Sequence, residues 1–301
     1  IVADADRRED LARLCLRALG PGRVHGTYGD TGLMREGETD FVRRLFAQLG
    51  ARRFEVCSAA GDFLGALAGV TDPETKREII GAQFVAVQQR ILETEHFLDG
   101  RWILGQGTIY PDTIESGGTA KADKIKTHHN RVPAIQKMMQ DGLVIEPLKE
   151  LYKDEERALG EELGLPHDLV WRHPFPGPGL GVRILCAASP SPLSALDAED
   201  EKRFNELVRE PHLVLPVQSV GVQGDNRTYR HAIAVFSHHQ YKVTPEHIAL
   251  GTNIPNRVRA FNRVLLCTSH AAPFETVFNP GFITRVRADL LRVGDSFVRD
   301  E

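Results

Sequence analysis

Residues 105–116, with the sequence Gly-Gln-Gly-Thr-Ile-Tyr-Pro-Asp-Thr-Ile-Glu-Ser, follow an apolar run at 102–104 that has the composition of a buried strand. Upstream of it, amphipathic helical segments alternate with short strand-like runs, from a helix that begins near Arg7 to a long helix after Pro73. This alternation predicts, over residues 1–185, a parallel sheet covered by helices on both faces, a doubly wound α/β domain. Such sheets bind ligands at the carboxyl ends of their strands, where the quoted stretch is expected to lie.

The composition of the chain changes after Cys186. Residues 187–198 are rich in Ala, Ser, Pro and Asp, which is typical of a linker or crossover. Beyond them, strand-like runs at 213–222 and 231–236 are followed by helical patterns. The sequence therefore predicts a second, smaller α+β domain over residues 186–301.

The overall composition narrows the class of protein. The chain has 301 residues, 42% hydrophobic and 26% charged, as is ordinary for a globular protein. Its net charge of −4 argues against nucleic-acid binding and confines any phosphate site to a local cluster. The four cysteines lie far apart in the sequence, which favours buried thiols. No segment approaches the roughly 18 apolar residues of a membrane helix and no signal peptide is visible, so we expect a cytoplasmic protein without a membrane partner.

Two acidic residues stand out in the quoted stretch, because Asp112 and Glu115 are three residues apart after a proline-fixed turn. On a helical turn both would lie on one face. That geometry suits Mg²⁺ beside phosphate groups. The alternative is a solvated helix start, whose acids interact only with the helix dipole. The spacing alone leaves both interpretations open.

A cationic segment follows at residues 117–130, with two glycines, three lysines and two adjacent histidines. The glycines and the polar composition predict a mobile loop that delivers Lys126, His128 and His129 to a ligand. The alternative is a plain exposed loop. A zinc site is not expected, because adjacent histidines rarely direct both rings at one metal.

Two further segments have unusual backbones. Residues 172–183 contain three prolines and three glycines within eight residues, which makes a rigid loop that can present N–H groups to an anion or serve as an interdomain hinge. Residues 220–227 have the pattern of a strand and a tight turn that ends in Arg227. A fixed guanidinium there suits phosphate binding, and a plain hairpin with a surface arginine is the alternative.

Together these segments resemble the synthetase part of GMP synthetase. The similarity rests on six segments in order along the chain: 30–35 (Asp-Thr-Gly-Leu-Met-Arg), 107–116, 125–130 (Ile-Lys-Thr-His-His-Asn), 146–151 (Glu-Pro-Leu-Lys-Glu-Leu), 173–180 (His-Pro-Phe-Pro-Gly-Pro-Gly-Leu) and 220–227. The resemblance implies that residues 1–185 form an ATP pyrophosphatase domain of the adenine-nucleotide α-hydrolase type. It also implies that residues 186–301 form a dimerisation and nucleotide-binding domain, and that the protein is a homodimer.

The resemblance also implies a reaction. The family adenylates the 2-oxygen of XMP with ATP, releases pyrophosphate, and lets ammonia displace AMP to give GMP. The implied catalytic residues are the two acids, which match Mg²⁺ ligands beside pyrophosphate, and three residues of a closing lid: Asp112, Glu115, Lys126, His128 and His129. The residues implied in binding the purine nucleotide are Asp30, Gly32, Gln106, Gly107, Gly177, Gly179, Arg183, Gln223 and Arg227.

The segment that should bind ATP phosphates departs from the family pattern. Where the family has Ser-Gly-Gly-Val-Asp-Ser, residues 3–8 are Ala-Asp-Ala-Asp-Arg-Arg. Without glycine the backbone cannot readily approach a phosphate, and Asp4 and Asp6 add negative charge. Asp6 and Glu9 also fit a capping box, which would occupy the helix N–H groups that a phosphate needs. The sequence therefore argues against ordinary ATP binding by this segment.

Three functions remain open from the sequence. The chain starts at Ile1, lacks a glutaminase region and lacks the family's Pro-Pro-x-Thr-x-Glu-Trp tail, so we expect a fragment whose ammonia comes from a separate glutaminase subunit. It is either an ATP-using amidotransferase subunit acting on an XMP-like nucleotide, or a repurposed purine-nucleotide enzyme that does not use ATP, such as a hydrolase. The third function is a pseudoenzyme that binds a nucleotide or an authentic synthetase.

Replacing residues 3–8 with Ser-Gly-Gly-Val-Asp-Ser should raise the affinity for ATP–Mg²⁺ by about tenfold or more, since relieving about 1.4 kcal/mol of repulsion already corresponds to tenfold. Isothermal titration calorimetry measures the change. The matched control is the double variant Asp4→Asn, Asp6→Asn, which removes the charge but adds no glycine, and it should gain less. Equal ATP affinity in the replaced and parent chains would contradict the interpretation of this segment.

Overall fold

In the computed structural model the described residues are 8–112, 133–172, 175, 177–193, 195–223, 226–236, 243–267 and 278–300. They form two compact units. The first is built from the chain up to Ala68, from Lys76–Ile184 and from the segment that starts at Ile283. The second consists of Gly69–Thr75 and Leu185–Phe282.

The first unit alternates helices and short strands. Its strands are β1 (His25–Asp30), β2 (Arg53–Ser58), β3 (Leu104–Gly105) and β4 (Val144–Ile145). Its helices are α1 (Arg8–Leu19), α2 (Glu38–Gln48), α3 (Ala60–Ala66), α4 (Pro73–Thr94, of which the first residues belong to the second unit), α5 (Pro133–Gln140), α6 (Lys153–Glu162), α7 (His167–Val170) and α10 (Arg285–Asp300). A 3₁₀ helix covers Gly179–Val182.

The strands of the first unit pair in parallel, which confirms the predicted α/β class. β1 pairs with β2 from His25 opposite Arg53 to Asp30 opposite Ser58. β3 pairs with β4 through Leu104 opposite Val144. Because the strands are parallel, Asp30 and Ser58 emerge at the same edge of their sheet.

The predicted buried strand at 102–104 is wrong in its first two residues. β3 covers only Leu104 and Gly105, and Ile103 is 55% exposed. Trp102 instead packs its ring edge-on against Phe97, with the ring centres 5.0 Å apart. The apolar run therefore divides between a ring contact with the buried Phe97, an exposed isoleucine and a very short strand, a division that composition does not reveal.

The buried face of α1 is rotated from the predicted one. The apolar spacing in the sequence predicts an inward face of Leu11, Leu14, Cys15, Ala18 and Leu19. Leu11 and Cys15 are buried as predicted, whereas Ala18 and Leu19 are exposed. Ala12 is fully buried and completes the face. The buried residues end at Leu16, so the last turn of the helix is exposed. Ala12 packs in one apolar cluster, and Leu11, Cys15 and Leu16 pack in another. The tertiary contacts of the helix, rather than apolar spacing alone, decide which residues are buried.

The second unit has a three-stranded sheet of order β5-β6-β7, in which β5 (His212–Gln223) pairs antiparallel with β6 (Asn226–Phe236) and β6 pairs in parallel with β7 (Phe261–Cys267). Its helices are α8 (Ala198–Leu207) and α9 (Pro245–Arg257). They pack on the sheet through a core of Phe204, Val208, Ile233, Val235, Leu250, Ile254, Val258 and Phe261. The strand predicted to start at residue 231 thus begins five residues earlier.

Within the described ranges, no helix combines the length and the apolar character needed to cross a membrane.

A buried pair of carboxyl groups joins α1 to α6. Asp10 and Glu156 are both buried, and their side chains are hydrogen-bonded to each other. Burial, the hydrogen bond to Glu156 and the nearby charges of Glu156 and Glu9 together raise the pKa of Asp10 to about 8. Gly160 leaves room for the Asp10 carboxyl, because a Cβ there would lie 2.2 Å from its Oδ1. The helices therefore pack through a carboxyl group that keeps its proton near neutral pH.

This pair predicts a pH-dependent stability. The pKa of Asp10 is about 8 in the folded state and about 3.9 in an unfolded chain, so between these values the folded state binds one more proton. The stabilisation is complete below about pH 4 and is lost as the pH rises through about 8, at up to about 1.4 kcal/mol per pH unit. Urea unfolding between pH 5 and 8 should show this slope in the parent chain and a flatter slope in Asp10→Asn.

The control is Asp154→Asn, because Asp154 lies on the same helix α6 and is exposed. It should keep the slope of the parent chain. An unchanged slope in Asp10→Asn would show that another group causes the pH dependence.

Candidate functional site

The loop that follows β1 is organised by Asp30. One carboxylate oxygen, Oδ1, accepts a hydrogen bond of 2.9 Å from the N–H of Gly32, and Oδ2 accepts one of 3.0 Å from the hydroxyl of Thr39. Gly32 has φ +72°, and a Cβ there would lie 2.7 Å from the Cβ of Ala60. Asp30 and Gly32 therefore hold the shape of the loop at the carboxyl end of β1, where open parallel sheets bind ligands.

The proline- and glycine-rich loop packs directly on this first loop. The N–H of Leu180 donates a hydrogen bond of 2.7 Å to the carbonyl oxygen of Leu33. Gly179 has φ +64°, and a Cβ there would lie 2.3 Å from the same oxygen. Gly177 differs, since a Cβ there would meet nothing within 4 Å. The structure thus brings together two of the segments that the sequence singled out. In the second segment, Gly179 combines a left-handed backbone with a clash at any added Cβ, whereas Gly177 has no such constraint.

A cluster of charges holds the same two loops. Nη1 of Arg183 donates to Oδ1 of Asp295 at 2.5 Å, and Nε of Arg35 lies 3.7 Å from Oδ2 of the same carboxylate. The ring of Phe175 faces both guanidinium groups, with Cζ of Arg35 4.5 Å and Cζ of Arg183 5.1 Å from its centre. The Arg183 side chain is 36% exposed, so it is paired internally and still accessible. Two cations around one carboxylate leave a positive charge, which favours an anionic ligand.

A second group of residues lies around the end of β3. The N–H of Gln106 donates to the carbonyl oxygen of Ile145 at 2.9 Å, which extends the pairing with β4. The Gln106 side chain is buried, and among the described residues its Oε1 has no hydrogen-bond donor. Thr108 donates its hydroxyl to Oε1 of Glu146 at 2.6 Å, and Gly107 between them is buried. A buried amide oxygen of this kind can accept a hydrogen bond from a ligand.

Asp112 lies in the first turn of a helix that starts at Tyr110, next to this group. Its Oδ2 accepts a hydrogen bond of 3.1 Å from the N–H of Ile109, and its own N–H donates to the Ile109 carbonyl at 3.0 Å. One carboxylate oxygen of Asp112 thus caps the start of the helix, which is the structural role expected of an acid that only begins a helix. Mg²⁺ in nucleotide sites commonly takes one or two carboxylates together with phosphate oxygens, so the Asp112 carboxylate is a fitting donor. Across the described ranges no cluster of three or more His, Cys, Asp or Glu side chains could hold a metal.

Helix α1 is the element that both groups share. Ala12 belongs to the apolar cluster that contains Phe175 and Leu180. Leu11 belongs to a second cluster, which contains Ile109. The helix that follows residues 3–8 in sequence is therefore packed against both candidate loops.

Several predicted site residues lie outside the described part of the chain. These are residues 3–7 with the proposed Asp6 cap, the segment 117–130, Glu115, Lys126, His128 and His129. The backbone of Gln223 ends β5 and pairs with Asn226, and the backbone of Arg227 lies in β6 opposite Val222, one residue into the strand rather than in the turn. The side chains of Gln223 and Arg227 are also outside the description, so their predicted roles stay predictions.

The spacing of apolar residues predicts a closing amphipathic helix from Thr284, which α10 confirms, but it does not predict the contacts of two charged residues on that helix. Arg292 of α10 donates from Nε to the carbonyl of Met34 at 2.9 Å and from Nη2 to that of Gly32 at 2.8 Å. Asp295, three residues later, forms the ion pairs with Arg35 and Arg183 described above. The signal available in the sequence was two charged residues at helical spacing beside apolar ones, which by itself does not distinguish a buried charge from a solvated one.

A separate depression of about 550 Å³ lies at the other end of α1. None of the predicted site residues lines it. Its lining consists of Arg13, Leu16, Arg17, Pro21, Leu49, Gly50, Glu162, Leu163 and Gly164.

The site is thus an anion-favouring loop cluster at the end of parallel strands in an α/β protein, and comparison with known proteins shows what it resembles. No protein-family model matches the chain. It is 41% identical over 266 residues to a probable glutamine-hydrolyzing GMP synthase of Leptospira interrogans, which is 87% of this chain and 42% of that protein. The glutamine-hydrolyzing GMP synthase of Chromobacterium violaceum is 42% identical over 290 residues, 87% of this chain and 54% of that protein. That of Thermobifida fusca is 45% identical over 239 residues, 74% of this chain and 45% of that protein.

The chain is GMP synthase-like, as its motifs predicted. It spans about half the length of the curated relatives it matches. The similarity therefore concerns one portion of those proteins.

Substituting two glycines of the proline-rich loop, Gly177 and Gly179, tests whether the loop needs glycine at a particular position. Gly179→Ala forces an alanine to φ +64° and against the Leu33 carbonyl, which should lower the free energy of unfolding by about 2 kcal/mol or more. Gly177→Ala, the matched control two residues away, has open space and should change it by less than about 0.5 kcal/mol. Chemical denaturation measures both. Equal effects of the two substitutions would show that the contact with Leu33 does not constrain the loop.

Proposed function

We propose that this chain is the nucleotide-aminating portion of a GMP synthase-type enzyme, which binds an XMP-like purine nucleotide and replaces the 2-oxygen with an amino group. The observation that carries the proposal is the 41% identity to a probable GMP synthase over 87% of the chain. Because the curated relatives are named glutamine-hydrolyzing, the ammonia would come from glutamine hydrolysed elsewhere, on a separate glutaminase subunit or segment.

We also propose the finer architecture that the resemblance implies. The two parallel strand pairs would belong to one doubly wound sheet of the ATP pyrophosphatase type, over residues 1–185. Residues 186–301, apart from the closing helix α10, which belongs to the first compact unit, would form the dimerisation and nucleotide-binding domain of a cytoplasmic homodimer. The parallel pairing of β1 with β2 and of β3 with β4 supports the first part of this proposal.

The nucleotide would be held mainly by loop backbone and by arginine. The positive charge around Asp295 supports a phosphate position beside the accessible part of Arg183. The buried Oε1 of Gln106 could accept a hydrogen bond from an N–H group of the purine or from a hydroxyl group of its ribose. Gly107, Gly177 and Gln223 would contribute backbone or amide groups, and Arg227 would bind a phosphate in the second domain.

The proposed amination has two steps. The 2-oxygen of the purine attacks the α-phosphorus of ATP and pyrophosphate leaves; ammonia then attacks C2, and AMP leaves with the oxygen. Asp112 and Glu115 would hold Mg²⁺, which would neutralise charge on the departing pyrophosphate. Lys126, His128 and His129 would close over the reacting centre and exclude water, which protects the adenylated purine from hydrolysis.

One observation favours a second function. Residues 3–8 carry no glycine and two aspartates, which disfavours a triphosphate there. A purine-nucleotide enzyme that works without ATP, for example by hydrolysis, would retain the loops around Arg183 and Gln106 and tolerate this change. A pseudoenzyme that binds a nucleotide or an authentic synthetase is the third function.

Pyrophosphate release in the presence of ATP, Mg²⁺, XMP and ammonia distinguishes these functions. Turnover at about 1 s⁻¹ or more, ordinary for an enzyme of this kind, supports amination. Calorimetric binding of XMP, GMP or AMP without binding of ATP supports the ATP-independent enzyme, and binding of none of them supports a pseudoenzyme that binds an authentic synthetase. Asp112→Asn should lower pyrophosphate release by about a hundredfold, as loss of one charge-stabilising group does.

The control is Asp141→Asn, because Asp141 is exposed and follows α5 outside the candidate loops. It should release pyrophosphate at the parent rate. Full activity in Asp112→Asn would remove this carboxylate from the proposed metal site.

A further inference from the structure

The closing helix α10 directs charged residues inward. The side chains of Arg292 and Asp295 are only 13% and 10% exposed. They are three residues apart, so they share one face of the helix. Large apolar side chains of the same helix, such as Leu290 and Phe297, are exposed. An amphipathic helix normally places these two classes the other way round, so the inward charges need a structural explanation.

The burial of Arg292 is explained by its hydrogen bonds to the loop that follows β1. Its guanidinium spans the loop, donating from Nη2 to the carbonyl of Gly32 at 2.8 Å and from Nε to that of Met34 at 2.9 Å. Nη1 contacts Asp289, one turn earlier on the same helix. The planar fork of arginine can bind two carbonyls in fixed geometry, whereas the single ammonium of lysine cannot.

Asp295 ties this loop to the proline- and glycine-rich loop. Its two oxygens face guanidinium groups from different segments, Oδ1 that of Arg183 at 2.5 Å and Oδ2 that of Arg35 at 3.7 Å. Arg35 is buried, and both guanidinium groups lie on the ring of Phe175. Without the carboxylate, the two cations would face each other across one aromatic ring in a partly dry site.

We propose that Arg292 and Asp295 are positioning residues of the candidate nucleotide site. They act through the loop carbonyls and through Arg35 and Arg183, and they hold the loop after β1 in register with the loop of residues 175–183. That register places the Leu180 N–H on the Leu33 carbonyl and aims the accessible part of Arg183. The inference rests on the proposed function only for the identity of the ligand, a purine monophosphate.

Hydrogen exchange followed by mass spectrometry tests the positioning without any ligand. In Asp295→Asn and in Arg292→Lys, peptides covering residues 30–36 and 175–184 should exchange at least about tenfold faster, which corresponds to about 1.4 kcal/mol in the local opening equilibrium. Peptides from β1 and β2 should exchange as in the parent chain. The matched controls are Asp62→Asn and Arg43→Lys, whose residues form surface ion pairs with Arg90 and Asp40.

Unchanged exchange in both loop peptides would overturn the proposal. An equal increase of the exchange rate in the peptides from β1 and β2 would also overturn the proposal, because that result would show only general destabilisation. The two variants remove different contacts, so either one decides the matter if the other does not fold.

Calorimetric titration with XMP then separates positioning from mere packing. In folded Asp295→Asn the dissociation constant should rise by about tenfold or more, and Asp295→Glu, which keeps the charge, should recover part of the affinity. Unchanged XMP affinity alongside faster loop exchange would overturn the positioning role. If the parent chain itself binds no XMP, the proposed function fails, and the exchange experiment still decides whether the helix holds the two loops.

Discussion

The arrangement of the candidate site depends on one backbone contact, the hydrogen bond from the Leu180 N–H to the Leu33 carbonyl. It joins two segments that are almost 150 residues apart in sequence, and it requires the left-handed backbone of Gly179, where a side chain would meet the carbonyl itself. Once that contact exists, the apolar side chains of both loops can share a core with α1 and α2. The chain closes a long loop for this contact, so the surrounding interactions must offset the entropy of closure.

The charged side chains buried around this contact are each paired with a side chain of opposite charge. Glu38, at the start of α2, is nearly inaccessible, and both of its carboxylate oxygens accept from the guanidinium of Arg172, which comes just before the proline-rich loop. In the Arg35, Arg183 and Asp295 group, which contacts the Phe175 ring, a carboxylate is likewise paired with guanidinium groups. Breaking a buried pair leaves an uncompensated charge, which typically costs about 3–5 kcal/mol. Paired charges of this kind favour one arrangement of the loops over alternatives that would leave a buried charge without a partner.

The motifs that resemble GMP synthetase do not include residues 3–8. The loops after β1 and β3 and the proline-rich loop match the resembled family closely and are organised in the structure by side chains of the chain itself. Residues 3–8 contain none of the glycines of the family's Ser-Gly-Gly-Val-Asp-Ser pattern. A ligand site built on the three loops would tolerate this difference better than a triphosphate site would, because a glycine-rich backbone at a helix start is what binds phosphates.

How far the sequence predicts this protein can be seen in individual residues. Helix and strand alternation, the parallel pairing of β1 with β2, and the resemblance to GMP synthetase all follow from local patterns and motifs. The limits of β3 do not, because the apolar residues at 102–104 divide between a ring contact with the buried Phe97 and a short strand. The buried face of α1 does not either, since the tertiary contacts of the helix cover Ala12 and leave Leu19 exposed.

The sequence by itself determined the class of fold, the family resemblance and which loops carry glycine and proline, because these depend on short-range backbone preferences and on motifs. Only the tertiary structure decided what holds those loops. Arg183 was expected to face a ligand, and the fold also gives it an internal carboxylate on a helix more than 100 residues away. Asp295 and Arg292 carry no local signal for that role. Their partners are brought to them by chain folding, and a charge is buried or solvated according to those partners rather than to its neighbours in sequence.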